Sequence, residues 1–291
     1  MLFKVGIVPA VVFGALHDPW QDADVQAATY KTSEAVVAAQ EANVRAAEEN
    51  VRQAQAKDLM GTIREVAKIG YEDVEFFAPY WGWTLDQAKD VRKLLDDVGM
   101  KCLSTHNSIN NYKPENVQKT IDLNNILGVK YVVVSSAGTP KTLDAWKGVA
   151  ETFTKGHELL AVGKLRGGYH NHQLEFTPLE GKRPIEVIAA NTPKNFVLQL
   201  DLGTCVEMGS DPVAWINANP GRIQCMHLKE WSKEKGYRAL YAEGSVPWKE
   251  VLAAGVKTGG LEYVLIEQEG SEFSEFETAK KCLETYRKMH G

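Results

Sequence analysis

YVVVSS (Tyr131–Ser136) and FVLQLDL (Phe196–Leu202) are almost continuous in β-branched and aliphatic residues. A strand with one wet face alternates apolar and polar side chains. Unbroken apolar runs belong to strands covered on both faces, as in a parallel sheet flanked by helices.

Working outward, each run sits between helical patterns. Leu59–Ile69 is amphipathic at helical spacing, Gly70 closes it, and the strand Asp73–Phe77 follows. Leu85–Val98, Gly99 and the strand Lys101–Asn107 repeat the plan, then Pro114–Leu127, opened by a proline and closed by Gly128, leads into Lys130–Ser136. Further strands read as Arg166–His172, Asn195–Gly203, Ile223–Glu230 and Tyr263–Glu269, with helices over 143–163, 184–191, 211–218, 247–256 and 274–289. With Phe3–Val8 at the start, eight strands alternate with about eight helices, which implies parallel strands and right-handed crossovers. Eight units favour closure over an open sheet, and no G-x-G-x-x-G follows the first strand. The expected fold is α/β, a single (β/α)8 TIM barrel spanning residues 1–291.

The stretch from His17 to Asp58 breaks the alternation. It contains SEAVVAAQEANVRAAEENVRQAQAKD, rich in good helix formers. A helical insertion over 17–58 after the first strand is expected. A lid, a dimer contact and a solvent-facing excursion are all open readings of it.

One barrel of roughly 250 residues plus this insertion accounts for the 291-residue length without a second domain. The net charge is −5 with basic residues scattered among acids, so nucleic acid and anionic membrane are not expected partners. No apolar stretch approaches the ~20 residues of a membrane span. Cys102, Cys205, Cys225 and Cys282 form no C-x-x-C pair and read as buried free thiols. The apolar N-terminus lacks a basic region and a cleavage site and reads as a strand. The cytoplasm is slightly favoured, and a periplasmic location stays open should a leader have been removed.

In such barrels the C-terminal strand ends converge on the active site. Four consecutive strands end in or beside metal-binding types: His170 on the fifth, Asp201 on the sixth, His227 on the seventh and Glu267 on the eighth. A mixed imidazole and carboxylate set suits one Mn, Co, Fe or Zn ion, whereas Mg prefers oxygen alone. A single His or Asp at a strand end is usually a hydrogen-bonding group; four on adjacent strands are less readily ascribed to chance.

YHNHQLEF, LDLGTC, MHLKEW, AEGSVPW and LIEQEG, in that order, together with AKIGYEDVEFF, resemble the sugar phosphate isomerase/epimerase group of xylose isomerase-like barrels. That group spans ketose 3-epimerases, inosose dehydratases, keto-glycoside lyases and the endonuclease IV branch. The resemblance covers nearly all of the chain except 17–58. It implies metal ligation by Asp201, His227 and Glu267. The epimerases place a fourth ligand, a glutamate, at the end of the fifth strand, and here that position is His170. A two-glutamate epimerisation is therefore in question. His172, two residues on, becomes a general base beside Glu267, with the reverse register (His172 as ligand, His170 as base) left open.

The function expected is metal-dependent sugar isomerisation or epimerisation through an enediolate. Dehydration of inososes or cleavage of 3-keto-glycosides is the alternative, and a non-enzymatic sugar-binding protein the third reading. Only one-metal equipment and an acidic chain are seen, against the cluster and basic groove of a DNA phosphodiesterase. Partners are a small sugar or polyol and, by resemblance, a second copy of the chain in a homo-oligomer. Substrate contacts are expected from His106 after the third strand, Glu75 on the second, Trp81 as a stacking surface, and Lys229 and Glu243 in the motif positions.

Overall fold

The computed structural model describes residues 4–8 and 58–290. The expected 17–58 insertion lies outside these, apart from Asp58, which stands at the head of the helix α1 (58–69). Eight parallel strands form the sheet: β1 (Lys4–Val8), β2 (Asp73–Val74), β3 (Ser104–Ser108), β4 (Tyr131–Ser136), β5 (Arg166–His170), β6 (Val197–Asp201), β7 (Cys225–Lys229) and β8 (Tyr263–Glu267). They pair in the order β2-β1-β8-β7-β6-β5-β4-β3. Parallel bridges Asp73–Lys101 and Phe76–Thr105 join the two ends and close the barrel.

The helices fall where their stop signals put them. α2 (Leu85–Val98) starts on a capping box in which Thr84 Oγ1 accepts from Gln87 N and Gln87 Oε1 accepts from Thr84 N. It ends at Gly99, with φ of 75°, a conformation that only glycine adopts freely. α3 (Pro114–Leu127) and α4 (Leu143–Ala161) follow. α6 (Pro184–Asn191), α8 (Pro212–Ala218), α9 (Trp248–Ala254) and α10 (Glu275–His290) complete the outer ring.

Period-two alternation sorts the strand residues. Val132, Val134, Leu198, Leu200, Met226, Leu228, Val264 and Ile266 face the helices in the main core. Tyr131, Val133, Val197, Cys225, Tyr263 and Leu265 form a separate cluster within the barrel. Gly168 is dictated here by close approach: a Cβ on it would lie 2.9 Å from Val197 Cβ and 3.3 Å from Val133 Cγ2. All four cysteines are buried and free. No helix among the described residues is long and apolar enough to cross a membrane.

Several strands are shorter than the sequence pattern implies. β5 stops at His170 rather than His172, and β6 at Asp201 rather than Gly203. Two short helices, α5 (Gln173–Phe176) and α7 (Leu202–Glu207), take over at these points. Local capping explains both. Glu175 Oε2 accepts from His172 N at 2.7 Å, and Asp201 Oδ1 accepts from Thr204 N at 2.7 Å. His172 therefore lies beyond the strand, where alternation no longer governs which way it faces.

Candidate active site

The polar interior begins above the apolar cluster. On β6, Gln199 and Asp201 continue the inward series of Val197; on β7, His227 and Lys229 continue that of Cys225; on β8, Glu267 follows Leu265. Register aligns them laterally: Lys229 with Glu267, Asp201 with His227, and His170 with Gln199.

His170, Asp201, His227 and Glu267, all buried, each place one ligand atom within 4.8 Å of the others. His170 Nε2 lies 3.8 Å from Asp201 Oδ2. His227 Nδ1 and Glu267 Oε2 form a short hydrogen bond. Donors about 2.0–2.2 Å from a common ion lie within such a span of one another, so this set fits a divalent cation of the zinc or manganese type. His106, His170 and His227 also bring ligand atoms within the same span. Their rings form a cluster, with centroids 4.6 Å apart for His106–His170, 5.0 Å for His106–His227 and 4.4 Å for His170–His227.

A second tier lies beneath. Glu75 Oε1 accepts from Ser104 Oγ at 2.6 Å and from Gln199 Nε2 at 2.9 Å. Its Oε2 lies 3.0 Å from His227 Nε2 and 3.1 Å from His106 Nε2. Burial would raise this carboxyl, but the facing His106 and His227 rings outweigh it and hold it down to about 2. Burial would lower His227, yet Glu75 and Glu267 on its two sides drive it up to about 10. His106 and His170 are lowered, chiefly by burial.

Lys229 has no room for solvent. Its ammonium donates to Asp201 Oδ2 at 2.9 Å and pairs with Glu267 Oε1 at 3.0 Å and Glu269 Oε1 at 2.5 Å. Burial alone would favour the neutral amine, but these three carboxylates hold it charged, well above its ordinary value. Glu267 is correspondingly held well below the usual range: burial opposes this, and Lys229 and His227 prevail.

His172 stands at the rim, half-buried, with its ring 4.9 Å from that of His170. Burial pushes it down to about 3. Its backbone is fixed by Glu175, whose Oε1 accepts from Tyr169 Oη at 2.6 Å. Beyond lies a polar group that the sequence reading passed over. Tyr237 Oη hydrogen-bonds Glu207, accepts from Gln173 Nε2 at 2.9 Å, and its ring sits under Lys229 Nζ at 4.8 Å.

The remaining expected contacts sit elsewhere. Trp81 packs on α3, donating to Thr120 Oγ1 at 3.1 Å with Lys119 Nζ over its ring. Glu243 is exposed and paired with Lys235 at 2.7 Å. The AEGSVPW motif is tied down by a different residue. Glu230 accepts from the N–H groups of Trp231, Ala242 and Val246 and from Trp248 Nε1, so its carboxylate anchors the β7–α9 loop. Ala242 is held there at φ 68°, in the left-handed region. Gln199 was legible in principle: a lone amide two residues before Asp201, inside an apolar run, must face the barrel interior and needs partners there.

A family model described as a xylose isomerase-like TIM barrel matches residues 63–289. A sugar phosphate isomerase/epimerase from Parabacteroides distasonis ATCC 8503 is 25% identical over 79% of this chain and 88% of that one, with a TM-score of 0.67. Two more distant structures share the fold. A D-psicose 3-epimerase from Clostridium cellulolyticum H10 is 16% identical, covers 79% and 93% of the two chains, and has a TM-score of 0.59. A probable 3-DHS dehydratase from Bacillus anthracis is 14% identical, covers 78% and 92%, and has a TM-score of 0.61. No curated protein sequence matches the chain.

Proposed function

Because the chain belongs to the xylose isomerase-like TIM-barrel family, we propose that it is a divalent-metal-dependent isomerase or epimerase of a sugar or related polyol. The observation that carries this reading is the convergence of His170, Asp201, His227 and Glu267 at the C-terminal mouth. These four residues would hold the ion, and the mixed nitrogen and oxygen donors favour Mn, Co, Fe or Zn over Mg. When bound, the ion would polarise a substrate carbonyl or hydroxyl and acidify the adjacent C–H.

The chain's own groups divide the remaining work. His172, at the rim with its ring 4.9 Å from that of His170, accepts the proton from carbon. Glu267, ionised beside Lys229, offers a carboxylate on the β8 side of the mouth. Lys229 keeps Asp201, Glu267 and Glu269 in register while cancelling part of their charge. His106 and Glu75 act from the lower tier.

A lyase is the second reading, favoured by one feature. His170 occupies the fifth-strand ligand position, so the acid–base set is an unlike pair, His172 and Glu267, rather than two glutamates. In such a pair the histidine that takes the proton from carbon can hand it on to the leaving group, with Glu267 ionised throughout.

Metal content of the purified protein, measured by mass spectrometry beside an Asp201→Ala/His227→Ala variant, tests the proposal. About one equivalent of ion, lost in the folded variant, is expected. Keto-sugars incubated in D2O should then take up deuterium, and a 3-keto-glycoside that instead loses its aglycone would select the lyase. Absence of uptake for every ion offered, with sugar binding indifferent to chelator, would replace both by a sugar-binding protein.

A further inference from the structure

We infer that Glu75, acting through Gln199, is a positioning residue that sets the ring tautomer of His170 and the orientation of His227, turning His170 Nε2 and His227 Nδ1 toward the four-donor group. This deepens the metal reading above and rests on it for the direction of the affinity change.

Glu75 is an ionised carboxylate and can only accept. The side-chain amide of Gln199 lies against both its oxygens, at 2.9 and 3.2 Å, so the edge turned to Glu75 must be the NH2. That leaves Gln199 Oε1 facing the other way, 2.6 Å from His106 Nε2 and 3.0 Å from His170 Nδ1. A carbonyl oxygen only accepts, so both ring nitrogens must carry hydrogen. A ligating imidazole has one N–H, and with it on Nδ1 the lone pair is on Nε2, the nitrogen nearer Asp201.

The same carboxylate acts on His227 without an intermediary. Glu75 Oε2 accepts from His227 Nε2–H at 3.0 Å, which turns Nδ1 to the side of the ring where Glu267 lies. Ser104 Oγ, donating at 2.6 Å, fixes the carboxylate itself. One buried acid just past β2 thus places the hydrogen on His106 and His170, on β3 and β5, and orients His227 on β7. A ligating imidazole needs an acceptor for its other N–H, and loss of such a partner weakens metal binding about 10–100-fold.

The test reads ring tautomers directly, in metal-free protein labelled with 15N at histidine, by long-range proton–nitrogen spectra. In the wild type, His106 is expected as the Nε2–H form and His170 as the Nδ1–H form. Gln199→Met and Glu75→Gln should each release His170 into a mixture, and Co2+ affinity, measured by chelator competition, should fall about 10–100-fold. A purely structural role would lower the melting temperature and leave the His170 tautomer unchanged. Finding His170 as Nε2–H in the wild type overturns the inference without any variant. An unchanged tautomer with Co2+ affinity within about twofold in a folded variant overturns it too. Failure of the wild type to bind Co2+ would remove the metal reading alone, since the metal-free spectra still decide the tautomers.

Discussion

Lys229 Nζ stands 2.9 Å from Asp201 Oδ2, and both residues are buried. The ammonium is the resident countercharge of a pocket holding Asp201, Glu267 and Glu269. Breaking a buried ion pair by removing one partner costs about 3–5 kcal/mol, because the other charge is left uncompensated. Lys229→Met is therefore expected to lose about that much stability in denaturant unfolding. Added Mn2+ should raise the midpoint of the variant more than that of the wild type, since an ion restores the missing positive charge. Equal shifts would show that Lys229 and the ion do not serve the same carboxylates.

His172→Gln separates proton transfer from ion binding. His172 lies past the end of β5 and outside the four-donor group. If it is the group that takes the proton, kcat should fall about 10²- to 10⁴-fold with metal content unchanged. Loss of metal together with activity would make His172 the ligand instead of His170.

Glu175 gives the fold a definite pH dependence. Burial pushes its carboxyl up to about 7 from an ordinary 4.5, against the opposing hydrogen bonds from Tyr169 and the His172 backbone. The folded protein thus holds this proton more firmly than the unfolded chain does. Its contribution is fully present below about pH 4.5 and is lost as the pH rises through about 7, a change of about 3 kcal/mol. Glu175→Gln cannot ionise, so its stability relative to wild type should climb by about that amount between roughly pH 4 and 8. A constant difference across that range would mean Glu175 is ionised throughout.

Gly168→Ala probes the barrel interior. The added methyl would meet Val197 and Val133, both on neighbouring strands with little freedom to move. Overpacking of this kind costs about 1–3 kcal/mol, and the loss should appear in the unfolding midpoint. Gly138→Ala, with nothing within 4 Å but φ of 75°, should cost less, through backbone strain alone.

The barrel was legible because its signals are repetitive: apolar runs such as Tyr131–Val134 alternating with helices stopped by Gly99 and Gly128. His170, Asp201, His227 and Glu267 were legible for the same reason, each closing an apolar run. The limits of β5 and β6 were not, since Asp201 and Glu175 cap short helices through contacts that only the folded backbone brings within reach. Gln199 was hidden by its surroundings: polar residues one turn of the pleat below a strand end look like interruptions until the inward series is aligned across strands. Glu243 shows the converse, a motif residue exposed at the loop while its neighbour in the fold, Glu230, carries the anchoring bonds. The proposed role of the stretch 17–58 lies beyond the described residues.

The junction between β2 and β3 consists of two isolated bridges, whereas β7 and β8 are aligned over five residues. Three backbone hydrogen bonds hold that wall: Val74 N to Lys101 O, Lys101 N to Glu72 O, and His106 N to Phe76 O. Amide exchange in this stretch should therefore precede exchange between β7 and β8, as a local opening with the rest of the barrel intact. Glu75 and His106 flank it. An opening of this wall would reach the floor of the site from the side rather than from the mouth.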